Sequence, residues 1–150
     1  MRKNRARHKH RLNTPPRWLR IGSWIAVAAW ALGVIGLSSL SGPDVARMNI
    51  FNVWDKAAHF SAFAVGAILL ALALRWNTAG SWPRIVCISI AAISIFGGTD
   101  EWHQLYTPKR SGADVGDWIA DTLGAIAGAA ATSFIYARYQ LKTLPASRRA

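Results

Sequence analysis

The sequence predicts an all-α, polytopic membrane protein, a four-transmembrane-helix bundle with both termini in the cytoplasm (N-in/C-in). Three observations support this prediction. Hydrophobic residues make up 52% of the 150 residues and charged residues only 17%, a balance that favours a membrane protein over a soluble basic protein. Four apolar stretches each approach the length that crosses a bilayer. The Lys and Arg residues are concentrated in segments that would share one side of the membrane.

The first two spans are the longest stretches without charge. They are predicted at residues 21–40 and 57–74, and His59 is the one ionisable side chain inside them. About 17 to 25 helical residues cross a bilayer, so both stretches are long enough. A cleaved signal peptide also follows basic residues, but its apolar run is only about 7–15 residues long. We therefore predict that the first span is an uncleaved signal anchor.

The third and fourth spans are shorter and carry polar residues at one end. Their uncharged parts are residues 85–99 and 122–137. We predict that the third helix continues to Gln104 and that the fourth begins near Asp114. Polar side chains at membrane depth must face protein or water, so the acidic residues at these ends are predicted to point into the bundle. Those residues are Asp100, Glu101, Asp117 and Asp121.

The distribution of Lys and Arg predicts the orientation. Fourteen of the 18 lie in the N-terminal tail, in the loop between the second and third spans, and in the C-terminal tail. Cytoplasmic flanks carry such an excess of basic residues. The chain is accordingly divided into a basic, disordered cytoplasmic tail at residues 1–17, a membrane domain at residues 18–137 and a second basic cytoplasmic tail at residues 138–150.

The basic N-terminal tail has an alternative interpretation as a nucleic-acid-binding arm. It has no aromatic residues between its basic ones, and it directly precedes a membrane span. We therefore predict contact with membrane lipids and no nucleic-acid partner. The sequence specifies neither a cofactor nor an oligomeric state.

Polar residues gather in four segments that would lie on the side opposite the tails. The segments are the start of the second span, the end of the third, the loop that follows it and the start of the fourth. A carboxylate near lipid costs a few kcal/mol, so such residues are usually paired and often functional. In chain order the residues are Asp55, Lys56, His59, Asp100, Glu101, Gln104, Arg110, Ser111, Asp114, Asp117 and Asp121.

Helical spacing predicts which of these side chains share a face. Asp55 and His59 are four residues apart, and so are Asp100 and Gln104, so each pair should lie on one face of its helix. Glu101, one residue after Asp100, should point in a different direction. The second and third spans would therefore each present a polar pair at the same end of the bundle.

The start of the fourth span has a stripe of acidic residues that continues as glycines. Asp114, Asp117 and Asp121 are three and four residues apart, and Gly124 and Gly128 extend the same helix face. Small residues allow helices to approach closely in lipid. We interpret the glycine pair as a packing surface rather than a ligand contact.

Three interpretations of the polar residues remain open: a structural network of ion pairs, a site for a polar or anionic headgroup, and a metal site. His59, Glu101, His103 and Asp117 are metal ligands in kind. However, the chain has no compact His-x-x-x-His spacing, and its single cysteine, Cys87, excludes a Cys-x-x-Cys pair and an intramolecular disulfide. No metal site is predicted.

The polar residues also carry a resemblance to the VanZ-like family. Members of that family have an Asp-Lys-x-x-His motif at the start of a span, then Asp-Glu-x-x-Gln, an Arg in a short loop, an Asp opening the last span, and Asn or Asp before a Gly. The matching positions here are Asp55, Lys56, His59, Asp100, Glu101, Gln104, Arg110, Asp117, Asp121 and Gly124. Lys109 stands where the family loop often has Gly. The resemblance covers residues 18–137.

The resemblance implies an integral protein of the bacterial inner (cytoplasmic) membrane that acts at the cell envelope. Because the founding member is associated with teicoplanin resistance, it also implies a role in susceptibility to that antibiotic. Our first hypothesis is an extracytoplasmic site for a polar headgroup, such as that of a lipid-linked wall precursor. Arg110 and Lys56 would contact its phosphate or carboxylate. The other predicted binding residues are Asp55, Gln104, Ser111, Asp117 and Asp121.

Two further hypotheses use the same residues. In the second, the protein is a membrane hydrolase or transferase that acts on a lipid headgroup, with Glu101 as general acid or base and with Asp100 and His59 tuning it. In the third, the protein is a structural or accessory membrane subunit, and ion pairs such as Arg110 with Asp117 only hold the helices together.

Overall fold

The computed structural model describes residues 15–48 and 54–143, with side chains described as far as residue 139. Over these ranges the chain forms five helices and no strand, which confirms the predicted all-α class. The helices are α1 (Arg17–Ser38), α2 (Gly42–Met48), α3 (Asp55–Asn77), α4 (Trp82–Gln104) and α5 (Val115–Thr143). Most of both predicted basic tails lies outside the described residues, although residues 138–143 continue α5.

The predicted number of spans is confirmed for the part of the chain that the structure describes. There α1, α3, α4 and α5 are long and apolar enough to cross a membrane. α4 continues to Gln104 and α5 begins at Val115, as predicted from their polar ends. α1 begins directly after Pro16, which is its N-cap residue. Proline has no amide hydrogen and disfavours helical conformation in the residue before it, so the helix does not extend towards Pro15.

The end of α1 differs from the prediction. The helix stops at Ser38 rather than at residue 40, and the chain then forms the short helix α2, which the sequence pattern did not indicate. Pro43, the second residue of α2, has no amide hydrogen and therefore cannot continue a preceding helix. Helix α2 therefore covers one side of the polar end of the bundle.

Helix α3 is the central element, because it packs against α1, α4 and α5, and its contact with α5 is the most extensive. The glycine stripe of α5 makes this contact possible. A Cβ atom on Gly124 would lie 2.2 Å from the carbonyl oxygen of Phe60, and one on Gly128 would lie 2.2 Å from that of Ala64. The predicted role of these glycines in helix packing is therefore confirmed.

The interior of the bundle is built mostly from alanine side chains around Phe63. Phe63 is 1% exposed and packs with Ala67, Ile93, Ala125 and Ala129. Trp30 attaches α1 to this core, since its indole nitrogen donates a 2.9 Å hydrogen bond to the carbonyl oxygen of Ala62. Outward-facing positions carry large apolar side chains, as contact with lipid requires. They include Ile25, Leu32, Ile95, Leu123 and Phe134.

Candidate functional site

The four polar segments meet at one end of the bundle. The start of α3, the end of α4 and the start of α5 lie together there, and the loop at residues 105–114 joins the last two. The acidic residues predicted to point inward are buried, with exposed fractions from 0% to 5%. They are Asp100, Glu101, Asp117 and Asp121. The hydrogen bonds divide the polar residues into three groups.

The first group is an ion-pair cluster between the first turn of α3 and the start of α5. Lys56 Nζ donates to Asp117 Oδ1 at 2.8 Å and to Asp114 Oδ2 at 3.4 Å. The Asp117 side chain is only 5% exposed, whereas that of Lys56 is 34% exposed. The amide of Gly116 donates to Asp114 Oδ1 at 2.7 Å, and together with Lys56 it lowers the pKa of Asp114 below its ordinary value.

This cluster corrects the third hypothesis in one respect. That hypothesis paired Asp117 with Arg110, but the structure pairs Asp117 with Lys56. The reason is geometric, because Lys56 and Asp117 occupy the first turns of the two helices that pack most closely. Of the two residues that we predicted to contact an anion, Lys56 is therefore already engaged by carboxylates, whereas Arg110 pairs with none among the described residues.

The second group lies deeper, between α3, α4 and α5. His59 Nδ1 lies 3.0 Å from Asp121 Oδ1. Glu101 Oε2 accepts a 2.9 Å hydrogen bond from the amide of Asp114, which ties the loop to α4. Three possible metal-ligand atoms lie within 4.8 Å of one another. They are a ring nitrogen of His59, a carboxylate oxygen of Glu101 and a carboxylate oxygen of Asp121. The prediction of no metal site rested on spacing along one helix, and such spacing cannot reveal a set of ligands from three helices.

The third group is a chain of hydrogen bonds that ends on Arg110. Ser38 Oγ and Gln104 Nε2 donate to Asp100 Oδ2, at 2.8 and 3.0 Å. Arg110 Nε and Nη2 both donate to Gln104 Oε1, at 3.1 and 2.7 Å. Since Gln104 is held by Asp100, the guanidinium group has a fixed position. The predicted pairing of Asp100 and Gln104 on one helix face is confirmed.

Ser38 is a site residue that the sequence analysis missed. It is 4% exposed, and its carbonyl oxygen accepts a 3.1 Å hydrogen bond from Thr107 Oγ1. The available signal was weak: Ser38 and Ser39 are adjacent hydroxyl residues at the end of an otherwise apolar span. Ser39 meets the remaining histidine of this end, with its Oγ 3.1 Å from His103 Nε2. His103 is thus exposed and separate from the deeper group.

The loop adopts a left-handed conformation at the position where the family often has glycine and this chain has lysine. Lys109 has a φ angle of 58°, in the left-handed region that glycine adopts most easily. The carbonyl oxygen of Pro108, just before it, accepts a 3.3 Å hydrogen bond from the amide of Gly42 at the start of α2. The loop that carries Arg110 is thereby attached to α2.

A cavity of about 170 Å³ opens beside the third group. One wall comes from α1 and α2 and is apolar apart from Ser38. The other, the polar wall, comes from α3, α4 and the loop and combines polar side chains with Ala58, Ala62 and Phe63. The apolar wall includes Val34, Leu37, Val45 and Met48. The polar wall includes Asp55, His59, Asp100, Gln104 and Arg110. The cavity therefore offers hydrogen-bonding groups and hydrocarbon to the same ligand.

Only some of the predicted site residues line the cavity. It brings together Asp55, Gln104 and Arg110 of the predicted binding residues, and His59 and Asp100 of the predicted catalytic ones. Glu101, which the enzyme hypothesis made the general acid or base, lies close to His59 but does not line the cavity. Four predicted binding residues also lie outside it: Lys56, Ser111, Asp117 and Asp121.

Comparison with known proteins assigns the family. Comparisons with curated proteins and with solved structures gave no significant match. The family model described as VanZ/LLP1 matches residues 9–136, which include all four membrane-spanning helices up to the last turns of α5 and every residue of the three hydrogen-bonded groups. The resemblance to the VanZ-like family is confirmed, and the chain belongs to the VanZ/LLP1 family.

Proposed function

We propose that this protein binds the anionic headgroup of a membrane lipid, such as a lipid-linked wall precursor, in the cavity that Arg110 lines. The observation that supports this most directly is the state of Arg110. Its guanidinium is fixed by a neutral amide oxygen, and among the described residues no carboxylate oxygen lies within 4.0 Å of its nitrogens. The positive charge is thus positioned without being neutralised by an ion pair.

Arg110 suits a phosphate or a carboxylate group. An Arg side chain has five N–H donors in one plane, and two of its nitrogens contact Gln104. The remaining donors can hold a phosphate or carboxylate through parallel charge-assisted hydrogen bonds. Asp55, which is exposed at the start of α3 and lines the same cavity, offers acceptor oxygens to hydroxyl or ammonium groups of the headgroup.

The size and lining of the cavity favour a headgroup over a whole soluble ligand. Its volume of about 170 Å³ is below the roughly 300–1,000 Å³ that is usual for small-molecule sites. The apolar wall from α1 and α2 can accept the first carbons of an acyl or prenyl chain, while the rest of the chain stays in the bilayer. An amphiphile that enters from the membrane would meet both walls at once.

Lipids that copurify with the protein provide a direct test. We expect native mass spectra of the detergent-purified protein to show a retained phosphate-bearing lipid on the wild type and strongly reduced retention on Arg110→Gln. Lys109→Gln is the matched control, because it removes the neighbouring charge, which does not line the cavity. Equal retention by wild type and Arg110→Gln would contradict the proposal, and equal loss in both variants would indicate a non-specific charge effect.

We further propose that the site faces the outside of the bacterial inner membrane, and that headgroup binding there underlies a role in teicoplanin susceptibility. The excess of basic residues in the tails and the family's founding phenotype support this. In a glycopeptide-sensitive host, wild type is expected to reduce susceptibility to teicoplanin, and Arg110→Gln is expected to lose the effect at the same membrane level. Identical susceptibility with wild type and with an empty vector would argue against this role.

A further inference from the structure

The deeper group of His59, Glu101 and Asp121 places two buried carboxyl groups beside a single histidine. The exposed fraction of Glu101 is 4% and that of Asp121 is 0%. Glu101 Oε1 and Asp121 Oδ2 are buried, and neither has a hydrogen-bond partner among the described residues. Burying an ionised carboxylate without a partner is costly. These unpartnered oxygens are the observation that points to a ligand.

The other cationic side chains that the structure describes nearby do not pair with the carboxyl groups of Glu101 and Asp121. Lys56 is engaged by Asp117 and Asp114, and Arg110 is held by Gln104. Within residues 15–48 and 54–139, no Lys or Arg nitrogen lies within 4.0 Å of a carboxylate oxygen of Glu101 or Asp121. His59 can contribute at most one positive charge against two carboxylates.

We propose that His59, Glu101 and Asp121 bind one divalent transition-metal ion of the zinc type. Zinc is held by histidine nitrogens and carboxylate oxygens, and sites with three protein ligands keep one coordination position open. Bonds of about 2.0–2.1 Å around a tetrahedral ion separate two ligand atoms by about 3.3 Å. The 3.0 Å between His59 Nδ1 and Asp121 Oδ1 is close to that spacing.

The surroundings of the three residues suit a metal site. The amide of Asp114 donates to Glu101 Oε2 and so orients that carboxylate, as outer hydrogen bonds do for metal ligands. A second group of possible ligands, Asp55, His59 and Asp117, also lies within 4.8 Å. It suits a metal less well, because Asp55 is exposed and Asp117 is already paired with Lys56.

This inference does not depend on headgroup binding. Glu101 and Asp121 lie outside the cavity, and only His59 belongs both to the polar wall and to the proposed metal site. The ion would therefore lie next to the cavity and join α3, α4 and α5 where their polar ends meet. Metal binding can be measured with no phospholipid added, so the failure of one proposal is distinguishable from failure of the other.

The test is a titration of the full chain, purified in detergent with a histidine-free affinity tag and stripped with chelator. We expect about one Zn²⁺ per chain by elemental analysis after desalting, and a visible absorption band with Co²⁺, which reports a tetrahedral site. Zn²⁺ should also raise the thermal unfolding temperature, because a ligand that binds only the folded state stabilises it. Folded wild-type protein that takes up no stoichiometric Zn²⁺ or Co²⁺ would overturn the proposal.

Single substitutions test whether Glu101 and Asp121 are ligands of the proposed metal ion. Glu101→Gln and Asp121→Asn are expected to weaken Zn²⁺ binding more than tenfold, since even changes to outer hydrogen bonds typically cost about 10–100-fold. His103→Gln is the matched control for adventitious binding, because His103 is exposed and outside the group. Arg110→Gln should bind Zn²⁺ as the wild type does. If the Glu101 and Asp121 variants fold and still bind Zn²⁺ with wild-type affinity, these residues are not the ligands; if neither folds, the wild-type titration decides.

Discussion

Replacing Gly128 by Leu is expected to separate α3 from α5 and to leave little correctly folded protein. A Cβ atom at this position would lie 2.2 Å from the carbonyl oxygen of Ala64. That atom belongs to helix backbone, so it cannot move away as a flexible side chain would. Overpacking usually costs about 1–3 kcal/mol and occasionally more, and we expect a loss at or above the upper end of that range. Because α5 carries Asp117 and Asp121, the site would be lost with the packing.

The matched control is Gly33→Leu in α1. Gly33 is exposed, and nothing lies within 4 Å of a Cβ atom placed there. We expect its unfolding free energy to stay within about 0.5 kcal/mol of wild type, as is usual for surface changes. The measurement is the yield of monodisperse protein in detergent together with its thermal unfolding temperature. Equal behaviour of the two leucine variants would show that α3 and α5 do not pack through the glycine face.

The second large effect is expected from Gln104→Glu, which changes one side-chain amide to a carboxylate. The new carboxylate would pair with Arg110 and neutralise the charge that the proposed headgroup needs. It would also face Asp100 Oδ2, which at present accepts a 3.0 Å hydrogen bond from Gln104 Nε2. We expect affinity for an anionic lipid to fall more than tenfold, which corresponds to about 1.4 kcal/mol. Gln104→Leu removes the acceptor but adds no charge, so it should lose less affinity.

A fluorescence titration of the purified variants with phosphatidylglycerol distinguishes these outcomes. If Gln104→Glu binds the lipid as tightly as wild type, then Arg110 is not the anion-binding group. If Gln104→Leu and Gln104→Glu lose the same affinity, then the position of Arg110 matters and its net charge does not. Thermal unfolding temperatures measured in parallel separate either result from a loss of fold.

The polar residues divide by their contacts into two sets, and only one of these sets fits the structural hypothesis. Lys56, Asp114 and Asp117 pair with one another at the start of α3 and α5, and this cluster holds the two helices together. Arg110 has no such carboxylate partner among the described residues, and it lines a cavity. The ion pairs therefore account for only some of the charges at this end of the bundle.

Sequence patterns predicted the helices well because each span contains a continuous stretch of residues without charge, which is visible in the sequence itself. Absence of charge marked the spans, and the acidic stripe with its glycines marked the packed face of α5. Helix α2 was not predicted because seven residues between two spans are too few to show a periodic pattern. The pairs of side chains that contact each other could not be predicted for another reason. Lys56 and Asp117 are 61 residues apart, and Ser38 and Asp100 are 62 apart, so their meeting depends on how whole helices are rotated and packed.

We propose that Arg110 makes this end of the bundle a site for an anionic headgroup. A titration of wild type and Arg110→Gln with two lipids of identical acyl chains, phosphatidylglycerol and phosphatidylcholine, measures this dependence on the headgroup charge. We predict that wild type binds the anionic lipid at least about tenfold more tightly, a difference of about 1.4 kcal/mol, and that Arg110→Gln loses this preference. Equal affinity of wild type for both lipids, or an unchanged preference in Arg110→Gln, would show that Arg110 does not bind the headgroup.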